Sequence, residues 1–153
     1  MYEKILVPTD GSNVAQNAVS HAVDLADRYD AELHALYVVD VSAIDVGLGT
    51  EQVQRIKDGH FDEMPELQAR AREATGDVAE QGEELGLEVV ESIVAGRPHT
   101  EIARYAEKHD VDMIVMGSAG RGGVRRALLG SVAERTLRTA TIPVLVVDIR
   151  EAD

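Results

Sequence analysis

Short apolar runs alternate along the chain with longer segments whose apolar residues recur every three or four positions. A short apolar run bounded by turn residues is typical of a buried strand, and the longer spacing is typical of an amphipathic helix. Five strands are predicted on this basis, over residues 4–9, 32–39, 87–94, 111–116 and 142–147. Four helices are predicted between them, over residues 15–29, 60–85, 98–106 and 131–139.

Strict alternation of strands and helices predicts an α/β fold, because each parallel strand connection needs a crossover that a helix supplies. The expected architecture is a single open, doubly wound parallel sheet with helices on both faces. No linker, repeat or low-complexity segment divides the chain, so residues 1–153 are predicted to form one domain.

Helix ends are indicated by capping residues. Asp10 or Ser12 can cap the first helix, and Ser131 is predicted to cap the last. Gly86 is suited to the residue after a helix, and Pro98 to a first helical position. Residues 40–59, which contain several glycines, are predicted to form a loop or lid with some helix.

Composition narrows the function classes. The chain carries a net charge of −13, which disfavours contact with a nucleic-acid backbone, and it contains no cysteine for disulfides or Cys–zinc sites. No apolar run is long enough to span a membrane, and the first residues do not resemble a signal peptide, so a cytoplasmic protein is expected. Acidic residues with few lysines suit a halophilic source, and an ordinary acidic cytosolic protein is the alternative.

The candidate chemistry lies in a glycine-rich segment, residues 117–131, between the fourth strand and the last helix. Glycine lets backbone N–H groups turn toward one point without side chains in the way, and a helix N-terminus adds partial positive charge. We expect the amides between Met116 and Val132 to converge on one anionic group. The alternative is a flexible surface loop with helix caps, since neither a Walker A loop nor a G-x-G-x-x-G fingerprint is present.

Charge within this segment favours the anion site. Arg121, Arg125 and Arg126 lie inside it, although the chain as a whole is strongly acidic. The alternative is a solvated face, or pairing of these arginines with nearby carboxylates. A second candidate segment, residues 8–12, follows the first strand, where ligands of open parallel sheets bind. There Asp10 would hold ribose hydroxyls or Mg²⁺, or would be a helix-cap aspartate only.

These residues resemble the universal stress protein family. Gly117, Gly120, Gly130 and Ser131 match its pattern G-x2-G-x9-G-[ST] in full, and the opening Lys-Ile-Leu-Val-Pro-Thr-Asp-Gly-Ser resembles its first strand and turn. The resemblance implies the strand order 3-2-1-4-5 and a relation to the wider adenine-nucleotide α-hydrolases. Because family members with the full glycine pattern bind ATP, it also implies ATP, with Mg²⁺, as the ligand.

The resemblance also implies site residues. Met116, Gly117, Gly120, Arg121, Gly130, Ser131 and Val132 would surround the phosphates, Pro8, Thr9 and Asp10 would lie against the nucleoside, and the backbone at Val39 and Val41 would meet the adenine. Homodimerisation through the last strand, residues 142–148, is implied as well, and an apolar edge strand invites such pairing.

Support for catalysis is weak. The five histidines are scattered without metal-ligand spacing, and no Gly-x-Ser-x-Gly elbow exists. His34 is predicted to be packed and hydrogen-bonded, and His21 and His109 to lie on helix surfaces. The leading hypothesis is an ATP-binding stress-response switch with slow or no hydrolysis. The alternatives are a nucleotide-free dimeric scaffold and an enzyme, either a slow ATPase or a nucleotidyl transferase.

Overall fold

A five-stranded parallel sheet forms the centre of the computed structural model, which describes residues 1–41, 64–119 and 129–148. The strands are β1 (Lys4–Pro8), β2 (Glu32–Asp40), β3 (Val89–Gly96), β4 (Met113–Gly117) and β5 (Val144–Val147). The helices within the described residues are α1 (Asn13–Tyr29), α2 (Pro65–Glu84), α3 (Pro98–Lys108) and α4 (Ser131–Thr139). In this part of the chain no helix is long and apolar enough to cross a bilayer.

The strand order is β3-β2-β1-β4-β5, as predicted. The centre of the sheet is β1, which pairs with β2 from Lys4↔Glu32 to Pro8↔Leu36 and with β4 on its other side. The chain therefore adds β2 and then β3 on one side of β1, and it adds β4 and then β5 on the other side.

Alternate side chains of β1 separate the two faces. Ile5 and Val7 pack with the apolar face of α1, whereas Leu6 packs with residues of α3 and α4. A third cluster joins the distal half of β2, including Tyr37 and Val39, to α2. Both faces of the sheet are thus covered by helices, which explains why the strands read as nearly continuous apolar runs.

One predicted helix start and one predicted helix cap were wrong. The second helix begins at Pro65 rather than at His60, because proline lacks an N–H and restricts the preceding residue, so it suits a first helical position only. Residues 60–63 lie outside the described part. The last helix has Gly130 at its N-cap, and Ser131 is its first helical residue. At α1 the cap is Ser12, whose hydroxyl accepts the Ala15 N–H at 3.3 Å.

Strand starts also differ from the prediction. β3 begins at Val89 rather than residue 87, because the Leu87 N–H still donates to the Gly82 carbonyl at the end of α2. Gly86 lies in that turn with φ +75°, the left-handed conformation predicted for it. β5 begins at Val144 because proline at 143 has no N–H to donate to a neighbouring strand.

A buried polar network crosses the α3 face of the sheet near its amino-terminal edge. His34 Nε2 lies 2.6 Å from Glu32 Oε1, and His34 Nδ1 lies 2.7 Å from the Tyr105 hydroxyl, which is 3.2 Å from Ser92 Oγ. The Nε2 side of the His34 ring faces the carboxylate and the Nδ1 side faces the tyrosine hydroxyl, so both ring nitrogens have a hydrogen-bond partner. The prediction of a packed, hydrogen-bonded His34 is confirmed.

His109 extends this network, and its assignment to the helix surface was wrong. It lies at the C-cap of α3, half-buried, with its ring stacked on Tyr105 at a centroid distance of 3.9 Å. Burial lowers the pKa of His109 below its usual value of 6.5, and the nearby His34, Lys108 and Lys4 lower it further. Burial likewise raises the pKa of Tyr105, so its hydroxyl stays protonated within the network.

The lowered pKa of His109 predicts a loss of stability in mild acid. Below pH 6.5 the unfolded chain binds a proton at this residue before the folded protein does, so the free energy of unfolding falls. We expect His109→Gln to reduce the drop in thermal midpoint between about pH 8 and about pH 5.5. Circular dichroism melts measure it, with His21→Gln on the exposed side of α1 as the control. Identical drops in wild type and His109→Gln would contradict the assignment.

Candidate functional site

The strand order reverses between β1 and β4, and in open α/β sheets such a reversal leaves a crevice at the carboxyl ends of the two strands. The chain leaves β1 toward β2 on one side, and it enters β4 on the other side. Connections that diverge in this way leave open space beyond the strand ends, where open α/β sheets bind their ligands. The predicted segments around Asp10 and Gly117 follow these two strands.

The turn after β1 is held by its own side chains. Buried Thr9 donates its N–H to the Leu36 carbonyl at 2.9 Å, and its hydroxyl oxygen accepts the Gly11 N–H at 3.2 Å. Asp10 accepts the Ser12 N–H through Oδ1 at 2.9 Å. The Asp10 carboxylate therefore has a structural role in the turn, whether or not it also meets a ligand.

The end of β2 forms one side of the crevice. β2 continues from Leu36 to Asp40 beyond its last pairing with β1, and there it pairs with β3 only. The side chains of Val39 and Val41 are buried, packed with Ala71 and Ala74 of α2. Contact between these two valines and a ligand in the crevice would therefore use their backbone, as the sequence prediction supposed.

The end of β4 is joined to the start of α4 by a short backbone contact. The Gly130 N–H donates to the Ser118 carbonyl at 2.7 Å, so the two ends of the glycine-rich segment meet. Ser118 in turn donates its N–H to the Val147 carbonyl of β5 at 2.9 Å. The predicted residues Met116, Gly117, Gly130, Ser131 and Val132 are thereby brought to one place.

The first turn of α4 supplies hydrogen-bond donors at this place. The Glu134 N–H makes the first bond of the helix, to the Gly130 carbonyl at 3.0 Å, so the N–H groups of Ser131, Val132 and Ala133 precede it. Gly130, at the cap, has no side chain with which to accept them. This differs from α1, where the Ser12 hydroxyl caps the helix.

Fewer backbone amides are therefore available to an anion than the sequence predicted. The N–H groups of Ser118 and Gly130 are bonded to carbonyls of the protein itself. Within the described residues, the first turn of α4 supplies donors for an anion. Gly120, Arg121, Arg125, Arg126 and the predicted lid lie outside the described part. In the described part no group of three His, Asp or Glu side chains could hold a metal ion by itself.

Two glycines of the pattern are required by packing. A Cβ on Gly117 would lie 2.7 Å from Val14 Cγ1 and 3.1 Å from the Val14 backbone carbonyl carbon. A Cβ on Gly130 would lie 3.1 Å from the Ala119 Cα and 3.2 Å from the Ser118 oxygen. From the sequence, these glycines were expected to leave room for phosphate. The structure shows that each also lies close to protein backbone.

Comparison with known proteins bears on the same residues. The family model described as the universal stress protein family matches residues 1–148. A universal stress protein of Methanocaldococcus jannaschii, MJ0531, is 44% identical over 96% of this chain and 82% of its own length. Both findings show similarity to the universal stress protein family. The residues that the family model matches include every described strand and helix.

Solved structures of the same fold agree with this likeness. The structure of MJ0577 from M. jannaschii is 32% identical, with a TM-score of 0.76 and 99% of both chains covered. A universal stress protein from Lactobacillus plantarum is also 32% identical, with a TM-score of 0.72, covering 95% of this chain and 97% of its own. Two structures that show the fold alone, at 23% and 22% identity, are complexes with cAMP and with dAMP.

The contact between Gly117 and Val14 predicts a specific coupling. Gly117→Ala forces a Cβ against the first turn of α1, and we expect it to lower the free energy of unfolding by about 1–3 kcal/mol in urea denaturation. Val14→Ala removes the Cγ1 atom nearest to that Cβ, so the double variant should be more stable than the two single effects predict. Strict additivity would contradict the contact.

Gly76→Ala is the matched control for this pair. Gly76 lies within α2, and a Cβ there would meet nothing within 4 Å. Because glycine is unfavourable inside a helix, this substitution should raise stability by roughly 0.5–1 kcal/mol.

Proposed function

The chain belongs to the universal stress protein family, and from this premise we propose that it binds ATP, with Mg²⁺, in the crevice between β1 and β4. Binding would change a surface that partner proteins recognise. The protein would thus act as a nucleotide-dependent switch in a stress response, and turnover of ATP would be slow or absent.

One observation carries the nucleotide proposal. At the point where the strand order reverses, α4 begins with three N–H groups ahead of its first internal bond and with a glycine at its cap. Such a helix start favours an anion by its free donors and by the helix dipole. In a protein with a net charge of −13, a local site of this kind is needed for any phosphate to bind.

The rest of the nucleotide would lie toward β1 and β2. The backbone beyond Val39 would offer the polar groups that contact the edge of an adenine, while the valine side chains stay packed against α2. Thr9 and Asp10 would lie beside the ribose, where Asp10 would also help to hold Mg²⁺ together with the phosphates. An adenine nucleotide agrees with the cAMP and dAMP complexes named for two proteins of this fold.

Slow turnover follows from what hydrolysis requires. Fast phosphoryl transfer needs a positioned water, a metal and charge stabilisation of the transferred group. Asp10 with Mg²⁺ and a loop arginine would supply part of this machinery. His34 and His109 lie toward the other edge of the sheet and would not orient a water in the crevice.

A homodimer through β5 completes the proposal. β5 pairs with β4 on one side only and ends the sheet, and its Leu145 side chain is 38% exposed. An apolar strand at an edge presents unpaired backbone groups to a second copy of the same strand. Analytical ultracentrifugation of the purified protein tests this part separately from nucleotide binding.

The nature of the bound nucleotide is the first test. The purified protein is denatured and the supernatant is chromatographed, before and after incubation with Mg²⁺-ATP. Intact ATP supports the switch, ADP or AMP supports an enzyme, and no nucleotide in either run supports a scaffold that acts by protein contacts. A turnover rate of order 1 s⁻¹ or above would contradict slow hydrolysis.

The helix start is tested by a matched pair of variants at Ser131. Ser131 is exposed at the first position of α4, so Ser131→Asp and Ser131→Asn should both fold. The carboxylate suits a helix N-terminus, but it occupies the positive end and repels phosphate. We expect Ser131→Asp to weaken ATP binding at least about tenfold in calorimetric titration, and Ser131→Asn to weaken it far less. Equal affinities in the two variants would place the phosphates elsewhere.

A further inference from the structure

Ser118 makes three hydrogen bonds that meet at the end of β4. Its N–H donates to the Val147 carbonyl at 2.9 Å, its carbonyl accepts the Gly130 N–H at 2.7 Å, and its hydroxyl donates to Asp148 Oδ1 at 2.7 Å. The residue is buried, with 4% of its surface exposed. One residue, through its backbone and its side chain, thus holds together β4, β5 and the start of α4.

Asp148 is itself held in place from the other side. Its backbone carbonyl accepts the Asn17 side-chain N–H of α1 at 3.1 Å. The carboxylate is acceptor-only when ionised, so the short bond from the Ser118 hydroxyl is charge-assisted and stronger than one between neutral groups. This bond fixes the orientation of the Ser118 residue, and through the Ser118 carbonyl it fixes Gly130.

We propose that Ser118, held by Asp148, is a positioning residue for phosphate binding, because it sets the place of the first turn of α4 relative to β4. This inference rests on the proposed function. The Gly130 N–H to Ser118 carbonyl bond closes the glycine-rich segment at its base. The donors of Ser131, Val132 and Ala133 come directly after that closure, so a shift of the Ser118 carbonyl moves all three.

The hydrogen bond from Ser118 to Asp148 also determines where the negative charge of Asp148 lies. Asp148 is an exposed carboxylate close to the start of α4, and a free carboxylate there would compete with phosphate for the same donors. The Ser118 hydroxyl engages Oδ1 and so keeps the carboxylate at the end of β5. Loss of the hydroxyl should therefore affect phosphates and leave the adenosine end of the ligand unaffected.

Removal of the hydroxyl should leave the fold intact. In Ser118→Ala the lost partner is Asp148, which is exposed and is hydrated by solvent, so no buried polar group is left unpaired. The N–H of residue 118 can still donate to the Val147 carbonyl, so the pairing of β4 with β5 is kept in the variant. Thermal midpoints within a few degrees of wild type confirm that binding is compared between folded proteins.

The experiment compares ATP with adenosine, by competition against a fluorescent ATP analogue. We expect Ser118→Ala to weaken ATP about five- to tenfold and adenosine by less than about twofold. Asp148→Asn and Asp148→Ala form a matched pair, because both remove the charge and only asparagine keeps an acceptor at Oδ1. ATP should bind Asp148→Asn more tightly than Asp148→Ala, and Ser118→Ala should abolish that difference.

The possible failures are distinguishable. If wild type binds ATP and Ser118→Ala binds it equally well, the positioning role is wrong and the proposed function stands. If Ser118→Ala weakens ATP and adenosine in parallel, the residue has only a general structural role, which also overturns the inference. If wild type binds neither compound, the proposed function fails and the positioning role fails with it.

Discussion

The first turn of α1 lies against the end of β4 so closely that position 117 has no room for a side chain beside Val14. This contact sets how closely α1, which starts from the turn after β1, approaches the end of β4. The buried Ser118 follows at once, and the start of α4 is placed from it. The geometry of the candidate site is therefore determined by packing around one glycine.

The two edges of the sheet satisfy their polar groups differently. At the amino-terminal edge, Glu32, His34, Tyr105 and Ser92 form a closed network in which each group has a partner. At the carboxyl-terminal edge, α4 begins with donors that its own helix does not use and with a cap that has no side chain. Every polar group of the network is thus paired at the first edge, whereas the helix start at the second edge has no side-chain cap. Such a departure is expected where a protein binds a ligand.

Much of this arrangement follows from the sequence. Apolar runs and helical spacing predicted every described strand and helix, and with the family resemblance they predicted the strand order, because these signals are set by burial. The predictions were wrong where a tertiary contact or a proline decides, as at Pro65, at Gly130 and in the half-buried position of His109. Ser118 was missed although it lies within the glycine pattern, since its partner Asp148 is brought near only by the pairing of β4 with β5.

At the carboxyl end of the sheet, β2 extends beyond β1. The distance between β2 and β4 sets a minimum length for a ligand that contacts both strands. Neighbouring strands lie about 4.8 Å apart, so β2 and β4 are separated by roughly 10 Å across the sheet, with β1 between them, and the overhang of β2 adds to the distance between their ends. A molecule that contacts both must lie across the strands and extend at least that far. A free base is too short for this, whereas a nucleoside that carries phosphate is long enough. The spacing of the strands would therefore select ligands by size before any side chain takes part.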